Sequence, residues 1–509
     1  MGALLLAALL CAGSVSAQGQ ACWRQEPVLT DSAVGKAAVE GQGLTITPSE
    51  AFLGKRTRVF PFTCRIEEGT DFEVASFGGI PGIYNGVTRQ PGEIFLLAGV
   101  INGDEPIDGA VIYGFNTSGG GIQQTWSTQL INTTEVDEWN YPGVMALDSQ
   151  GRLVVVYGYH LAALDASTGE VLQGFAAFTA CPLYEGNSTM VLVDGDSLEV
   201  KQVLELPGAF GGRISSGIYE GTEYIYLTGT GGSALRWVYG NGEVVQDDSW
   251  QGEYKLNKLS TPASSLAMIG DWVVTMTNGL QSLTPMFMTA ISQKDASITH
   301  SVTPFEATLR ELNGSIAENI KAKTIVSWGV SAISADPENM MVYPFDFVAG
   351  RVAGYRLSAK GFEKAWEEPQ RTANFMQLLG GSKDRMLVGT NVPGLPALPT
   401  MEELTTYTEE YLQFRDAASG RLLAETPDLG AARGLPSAPG FGNEYFYWTA
   451  NTLNKLTYKL AAKPADEGGA SAAPAPAPAA TPASAGTVAR GQEAAVTLAL
   501  AGAALALLL

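Results

Sequence analysis

Histidine and cysteine, on which many catalytic and metal centres depend, are scarce in this sequence. Only His160 and His300 occur among 509 residues, so a histidine-based zinc site or a Ser-His-Asp triad is poorly supplied. None of the four cysteines is adjacent to another, and the C-x-x-C-H haem-attachment motif is absent. The GxSxG and HExxH motifs are also absent. We therefore predict no catalytic residue and no metal ligand, and the sequence leans against an enzyme.

Positive charge is scarce as well. The 31 Lys and Arg residues are outnumbered by 52 Asp and Glu residues, which gives a formal net charge of −21. Binding to nucleic acid requires clustered Lys and Arg that neutralise phosphates, and no such cluster occurs, so no nucleic-acid partner is expected. The acidic balance is typical of a soluble surface. By contrast, 59 Gly and 26 Pro predict many turns and favour short strands over long helices.

Two apolar runs mark the ends of the sequence. Residues 1–17 are apolar and finish with the small residues Val15 and Ala17, which predicts a secretory signal cleaved before Gln18. Residues 494–509 carry no charge. This second run is shorter than the about 20 residues of a membrane-spanning helix, and it lacks a basic cytoplasmic flank.

A segment rich in alanine and proline precedes the second run. Such a segment cannot form a core, so residues 461–486 are predicted to be a stalk, and neither they nor the following run is expected to contribute to folding. Small residues at Ser484–Gly486, a short spacer and the apolar run follow in order, which is typical of glycosylphosphatidylinositol (GPI) attachment. We predict lipid attachment at Ser484, with Ala483 as the alternative, and removal of residues 487–509. A tail anchor or a merely apolar terminus is the competing interpretation.

These signals predict passage through the secretory pathway and a final position at the outer face of the plasma membrane.

After signal removal three cysteines remain, and two of them are expected to pair in an oxidising compartment. A Cys22–Cys64 disulfide would fix the N-terminal segment, while pairings with Cys181 stay open. Four N-x-S/T sequons predict glycosylation, at Asn116, Asn132, Asn187 and Asn313.

One stretch of the predicted ectodomain carries four strand-like runs in succession. The runs are Val144–Asp148, Arg152–Tyr157, Tyr159–Asp165 and Glu170–Phe175, and the connections between them are short enough for hairpins. The second contains LVVVY, which is continuously apolar, as expected of a strand covered on both faces. Asp165 can accept backbone N–H bonds from the turn that follows it, and Gly169 can adopt a positive φ. A four-stranded meander of this kind is one blade of a β-propeller.

The same hairpin recurs along the sequence. Tyr411–Pro427 repeats it, with Asp416 and Gly420 at the places of Asp165 and Gly169. The candidate copies lie roughly 35 to 65 residues apart, which is a blade-sized period. We therefore predict an all-β fold for residues 18–460, a β-propeller of about seven or eight four-stranded blades with short helical insertions. One or two β-sandwiches are the alternative.

The helical insertions are predicted from two capping boxes. Thr303–Glu306 and Thr400–Glu403 each place Thr three residues before Glu, the spacing at which both side chains satisfy free N–H groups of a helix start. Both lie between strand-like runs, so we expect them on loops of blades.

Residues 163–173, ALDASTGEVLQ, resemble the repeat of the pyrroloquinoline-quinone-like (quinoprotein dehydrogenase-like) propellers. That repeat runs Ala, then Asp two places on, then Thr-Gly, then Trp at the eleventh place. The matching residues are Ala163, Asp165, Thr168 and Gly169, with Gln173 at the Trp place. In the second copy Asp416, Ser419 and Gly420 match, with Ala424 at the Trp place, and two weaker copies place Trp126 and Trp366 one residue late. The resemblance implies the propeller fold.

The resemblance also bears on cofactors. Quinoprotein alcohol dehydrogenases place their quinone beneath a disulfide between adjacent cysteines and hold calcium with acidic and amide side chains. The isolated cysteines of this chain cannot form that disulfide, so no quinone is expected, and the resemblance implies one of the non-catalytic scaffolds with this repeat. Ca²⁺ has one candidate site in the oxygen-rich stretch Asn102–Asp108, although the EF-hand spacing is absent.

Two hypotheses about function follow from the sequence. In the first, the chain is a GPI-anchored cell-surface glycoprotein whose propeller binds or scaffolds an unknown protein or carbohydrate ligand. In the second, it is a secreted propeller enzyme, a sugar or quinone-type oxidoreductase or a hydrolase, with its site in the central funnel. Four tryptophans would either line a carbohydrate-binding face or pack between blades, namely Trp237, Trp272, Trp328 and Trp448.

Overall fold

The computed structural model describes the chain in segments that cover most of residues 59–458 and one short segment beyond them. The described residues are 59–60, 63–83, 85–99, 110–130, 144–148, 150–157, 160–176, 189–194, 197–208, 214–229, 232–254, 266–277, 286–305, 333–373, 376–396, 403, 406–432, 437–458 and 495–499. The predicted sites Cys22, Asn132, Asn187, Asn313 and Ser484 lie outside them, as does the candidate calcium stretch.

The described strands form eight separate sheets, which we number as blades 1 to 8 in chain order. Two strands, β1 (Val59–Phe60) and β2 (Phe72–Gly78), precede blade 1. Blade 1 contains β3 (Asn85–Val87), β4 (Glu93–Ala98), β5 (Val111–Asn116) and β6 (Gln123–Gln129). Blade 2 contains β7 (Val144–Leu147), β8 (Leu153–Tyr157), β9 (His160–Leu164) and β10 (Val171–Ala176). Blade 3 contains β11 (Thr189–Asp194) and β12 (Val200–Glu205), and blade 4 contains β13 (Ser215–Tyr219), β14 (Thr222–Thr228), β15 (Ser233–Gly240) and β16 (Glu243–Glu253).

The second half of the chain continues the pattern. Blade 5 contains β17 (Ala267–Ile269), β18 (Trp272–Thr277), β19 (Phe287–Ser292) and β20 (Thr299–Val302). Blade 6 contains β21 (Ser334–Asp336), β22 (Met341–Tyr343), β23 (Phe345–Asp346), β24 (Arg351–Ser358) and β25 (Gly361–Pro369). Blade 7 contains β26 (Gln377–Leu379), β27 (Met386–Asn391), β28 (Tyr411–Asp416) and β29 (Leu422–Glu425), and blade 8 contains β30 (Ala438–Pro439), β31 (Glu444–Trp448) and β32 (Thr452–Tyr458). A last strand, β33 (Ala495–Ala499), lies beyond the blades in sequence.

The blades stack on one another through apolar clusters, and the stacking explains their unbroken apolar strands. In β8, Leu153 and Val155 pack towards blade 1, whereas Val154 and Val156 pack towards blade 3. In a half-exposed strand every second residue is polar because it faces water. Both faces of β8 are covered, so its residues are apolar at consecutive positions. Each fully buried Val or Leu stabilises the fold by about 1.5–3 kcal/mol.

The clusters close into a ring. One cluster joins each neighbouring pair of blades from 1 to 5, one spans blades 5 to 7, and others join blade 7 to 8 and blade 8 to 1. β2 supplies the outermost strand of blade 8, where Phe72 lies opposite Tyr458, so an N-terminal strand fastens the last blade. The propeller prediction is confirmed, and the β-sandwich alternative is wrong.

A recurrent contact joins the outer strand of one blade to the turn of the next. Trp126 Nε1 donates to Ala166 O at 3.2 Å, Trp250 Nε1 to Ser292 O at 2.9 Å, and Trp366 Nε1 to Ala417 O at 3.1 Å. At the other junctions of this kind the Trp is replaced: Gln173 donates to Ser197 O, Gln202 to Val244 O at 3.0 Å, and His300 lies over Gly361. At five of these six junctions, a directed hydrogen bond therefore adds to the apolar packing.

The late position of two tryptophans has a structural reason. A bulge at Thr125 leaves Trp126 opposite Gly114, and a bulge at Leu172 leaves Gln173 opposite Ala163 in the equivalent place. Blade 6 repeats the arrangement with Trp366 opposite Gly354. The hairpins differ in length, because nine residues separate Ala163 from Gln173 and eleven separate Gly114 from Trp126, and the side chains still reach the same junction.

Blade 3 departs from the predicted four strands. β11 and β12 match the outer two strands of blade 2, because Asp194 N bonds Glu199 O just as Asp165 N bonds Glu170 O. The next inward position is taken by β33, antiparallel to β11, with Val191 opposite Leu498. The structure thus places residues 495–499, for which no role in folding was expected, against the propeller.

Helix is sparse in the described part of the chain. The sequence predicted a helix starting at Thr303, and there Pro304 and Phe305 form a turn, with Phe305 buried in the core. Glu403 and Thr406 are helical, and Ser118–Gly120 form a 3-10 turn. Among the described residues, no helix has the length and apolar character that a membrane crossing requires.

Candidate functional site: the loop face of the propeller

The two faces of the ring differ in their connections. In each four-stranded blade the first and third connections leave one face, and the second connection and the link to the next blade leave the other. The first face, here called the turn face, carries tight hairpins such as Asn241–Gly242 and Ala359–Lys360. The opposite loop face carries the long connections, namely residues 99–110, 130–143, 254–266, 303–333 and 392–410. Binding residues concentrate on long loops that a rigid scaffold positions, so the loop face is the candidate site.

The bases of the loops on blades 6 and 7 are tied together by a cluster of side chains, the loop-base cluster, formed by Phe347, Val348, Arg371, Val392, Tyr407 and Glu410. Arg371 Nη1 donates to Phe347 O and Val348 O, both at 3.2 Å. The rings of Phe347 and Tyr407 lie 6.0 Å apart. Three different connections are thereby held at fixed positions relative to one another.

Electrostatics within this cluster favour structure over chemistry. Burial lowers the pKa of Arg371, and the Asp346 carboxylate offsets part of that effect, so the guanidinium stays charged at neutral pH. The fully buried Glu410 accepts hydrogen bonds through Oε2 from Tyr407 Oη at 3.1 Å and from Ala432 N at 2.8 Å. Burial, with a smaller effect of Glu410, raises the pKa of Tyr447 well above its ordinary value.

The turn face holds a group of charges at blades 6 and 7. Arg385 and Asp336 are both buried, and Arg385 Nε lies 3.3 Å from Asp336 Oδ2. Asn339 Nδ2 donates to the same oxygen at 2.8 Å, and Glu338 also pairs with Arg385. These contacts join Asp336 of blade 6 to Arg385 of blade 7, so the carboxylate holds the two blades together.

A second carboxylate of this group illustrates the same point. Asp416 Oδ1 accepts from Ser419 N at 2.9 Å and from Ser419 Oγ at 2.8 Å, and Arg65 Nη2 lies 3.1 Å from Oδ2. Partial burial opposes ionisation, but these hydrogen bonds outweigh it and hold the pKa of Asp416 below its ordinary value. The carboxylate is therefore a stabiliser of its turn.

The innermost strands use their polar side chains to join blades around the axis. Ser215 Oγ donates to Leu266 O at 2.5 Å, and Ser334 Oγ donates to Met376 O at 2.5 Å. Gln377 Nε2 donates to Ser437 O at 2.8 Å, and Gln377 Oε1 accepts from Tyr445 Oη at 2.5 Å. All these side chains are buried, so their hydrogen bonds join neighbouring blades.

A cavity of about 240 Å³ lies at the junction of blades 1 and 2. Its lining includes Glu93, Phe95, Asn116, Trp126 and Ser167. The predicted glycosylation site Asn116 is exposed there, and its Oδ1 accepts from Ser118 N at 2.8 Å. The cavity belongs to the junction that Trp126 forms.

The other residues singled out in the sequence are structural in their surroundings. Asp165 Oδ1 accepts from Ser167 N at 2.7 Å and from Thr168 N at 3.1 Å. Gly169 and Gly420 have φ of 75° and 77°. Trp237, Trp272 and Trp448 are buried between blades and do not line an open face, and Trp328 lies outside the described residues.

Cys64 is buried and disulfide-bonded. Its partner lies outside the described residues, so the pairing with Cys22 stays a prediction. Cys64 O accepts from Tyr458 Oη at 2.8 Å, and Cys64 N donates to Gly442 O at 2.7 Å, which fixes this cysteine to blade 8.

The residues present do not fit the quinone site that the resemblance brings to mind. The clamp above the quinone needs two adjacent cysteines, and the sequence has none. Among the described residues, no three His, Cys, Asp or Glu side chains come together as a metal site, and the buried carboxylate nearest the inner strands, Asp336, is already paired with Arg385.

Comparison with solved structures places the fold. A quinohemoprotein alcohol dehydrogenase from Comamonas testosteroni matches with a TM-score of 0.50 and 12% identity, over 80% of this chain and 79% of that one. The Dos1 propeller matches with a TM-score of 0.50 and 10% identity, over 76% of this chain and 95% of that one. The fold shared with these structures is a β-propeller. No protein-family model and no curated protein matches the sequence, and at these identities the likeness shows the fold alone.

Proposed function

We propose that this chain is a binding or scaffold module of the cell surface whose ligand docks on the loop face. The observation that carries the proposal is the difference between the two faces. Tight turns and paired charges build the turn face, whereas the strands that flank five long connections end on the other face. The loop-base cluster supports it further, because a preorganised base lowers the entropy that loops lose on binding.

The ligand is a protein or a carbohydrate. The tryptophans that would have formed an aromatic sugar platform, Trp237, Trp272 and Trp448, are buried between blades. This burial favours a protein ligand that contacts the loops. The net charge of −21 favours a partner surface with positive charge, since opposite potentials accelerate encounter.

Glycans added to one face at a time test the site. Glu243→Thr creates a sequon at the exposed Asn241 on the turn face, and Gly394→Asn with Pro396→Thr creates one on the loop face. Binding of the full-length protein to a panel of cell-surface proteins and glycans is measured for both variants and the parent. The loop-face glycan should abolish binding and the turn-face glycan should leave it unchanged. If the turn-face glycan abolishes binding and the loop-face glycan does not, the proposed binding face is wrong.

Anchoring is the second part of the proposal. The order of small residues, spacer and apolar run supports a GPI lipid on Ser484, on a stalk formed by residues 461–486, with the ectodomain outside the cell. Phosphatidylinositol-specific phospholipase C should release the protein from intact cells. Mass spectrometry of the mature C-terminus should end at Ser484 or Ala483, and peptides that run through Leu509 would contradict the anchor.

The oxidoreductase alternative is tested directly. The protein from Comamonas testosteroni is a quinohemoprotein alcohol dehydrogenase, whereas the residues here do not fit its type of quinone clamp. Dye-linked oxidation of alcohols and glucose, measured after addition of pyrroloquinoline quinone and Ca²⁺, should stay at the level of a heat-denatured control. Turnover above that control would favour the enzyme.

A further inference from the structure

The central strand of blade 3 is an acceptor for an added strand. β11 is buried throughout Met190–Asp194, and its two sides pack on different neighbours. Met190 and Leu192 belong to the cluster shared with blade 4, and Val191 and Val193 to the cluster shared with blade 2. One edge of β11 pairs with β12, and the other pairs with β33.

This second edge cannot be left without a partner at low cost. Backbone N–H and C=O groups that are buried without a hydrogen-bond partner destabilise a fold. In the described part of the chain, the strands that pair with β11 are β12 and β33. Residues 177–188 separate β10 from β11, whereas blade 2 uses residues 144–157 for its two inner strands. Among the described residues, β33 therefore completes the blade.

The walls of the acceptor position define what fits there. On one side lie Val154 and Val156 of β8, and on the other lie Ile225 and Leu227 of β14. All four are buried and apolar. A strand covered on both faces by such walls must be apolar at consecutive positions and free of charge. Residues 495–499, AVTLA, carry no charge and are apolar except for Thr497.

We propose that the edge of β11 that pairs with β33 is a peptide-binding site of the β-augmentation type. Residues 495–499 occupy it as an internal ligand in the unprocessed chain. The next step rests on the proposed function: when lipid attachment removes residues 487–509, the edge opens and takes an uncharged, extended apolar segment of a partner protein, antiparallel to β11. Processing of the tail thus switches on binding at blade 3.

The first experiment tests the site in the unprocessed chain. The full-length protein is made in the bacterial periplasm, where GPI attachment does not occur. Val191→Cys with Leu498→Cys joins residues that lie opposite each other, and mass spectrometry should detect their disulfide in most molecules. In the control, Val191→Cys with Ala495→Cys, the offset of three residues is about 10 Å along a strand, too far for a disulfide. Equal cross-linking of the two pairs, or none in the first, would overturn the acceptor site.

The second experiment tests the opened site. Mature protein released from cells is titrated with a labelled peptide of residues 493–501 and with the same peptide carrying Thr497→Pro. Saturable binding, at least tenfold weaker for the proline peptide because proline removes a ladder hydrogen bond, supports the proposal. Mass spectrometry of the mature chain distinguishes a failure of the GPI anchor from a failure of the peptide site. A mature chain that keeps Leu498 contradicts the GPI anchor. A chain that lacks the tail yet binds neither peptide contradicts the peptide site.

Discussion

The contact between Gly169 and Trp126 allows the strength of a blade junction to be calculated and tested. A Cβ added at Gly169 would lie 2.4 Å from a carbon of the Trp126 ring, and the residue would have to keep a φ of 75°. The left-handed backbone costs a non-glycine residue about 1–2 kcal/mol, overpacking costs about 1–3 kcal/mol, and loss of the Trp126–Ala166 hydrogen bond costs about 1 kcal/mol. Gly169→Ala should therefore lower the free energy of unfolding by about 3–6 kcal/mol, and Gly169→Val by more.

Gly242→Ala is the matched control. Gly242 also lies in a turn between the outer two strands of a blade, and its φ of 81° is nearly the same, but nothing lies within 4 Å of its added Cβ. Gly242→Ala should lower the free energy of unfolding only by the backbone strain, about 1–2 kcal/mol. Urea unfolding followed by tryptophan fluorescence and by circular dichroism measures both variants. Equal losses would show that the Trp126 ring does not limit residue 169.

The neighbouring junction supplies a compensating pair. Between blades 2 and 3, Leu198 occupies the place of Gly169 with a φ of 56°, and Gln173 occupies the place of Trp126. A leucine is thus accommodated where the facing side chain is slender. Gly169→Leu should cost at least about 1 kcal/mol less when combined with Trp126→Gln than in the parent. Strict additivity of the two substitutions would refute the steric argument.

Three further substitutions probe the remaining contacts. The pKa of Asp416 is lower in the folded protein than its ordinary value. The stabilisation that this carboxylate contributes is therefore complete above about pH 4 and is lost as the pH falls through the folded pKa. Asp416→Asn should lower the melting temperature at pH 7, and the melting temperature of this variant should fall less on acidification than that of the parent. Arg236→Met leaves the Asp247 carboxylate, 2.6 Å away, without its cation and should cost about 3 kcal/mol, measured by urea unfolding. Gln377→Leu removes the partner of Tyr445 and should cost about 1–3 kcal/mol, measured in the same way, whereas an unchanged midpoint would contradict the role of the inner hydrogen bonds.

The fold was predictable from the sequence because its information is local. The Asp165 and Gly169 turn and its copy at Asp416 and Gly420 specify hairpins by chemistry within a few residues, and the period of these hairpins specifies the ring. The occupants of the junctions were harder to predict, because the hairpin before Trp126 is two residues longer than the hairpin before Gln173, although each strand has a one-residue bulge. The equivalence of the two positions is not visible without the register of the strands.

The candidate site was less predictable for a related reason. The loop-base cluster brings together Phe347, Arg371, Tyr407 and Glu410 from three connections, and no local motif links residues so distant in sequence. The capping boxes indicated insertions at residues 303 and 400, and the described strands that flank both positions end at the loop face. Their spacing carried no information about which side chains meet beneath them.

Blade 3 shows what the local turn signal leaves open. The strand pair of β11 and β12 has the same turn as blade 2, with Asp194 Oδ1 accepting from Ser197 N at 2.8 Å, so the turn specifies the two outer strands of a blade. It carries no information about which segment lies on the inner side of β11. Among the described residues that segment is β33, which comes from outside the repeat. Because β11 is buried, an unpaired inner edge would be costly, and this cost makes blade 3 the most informative place to look for a partner.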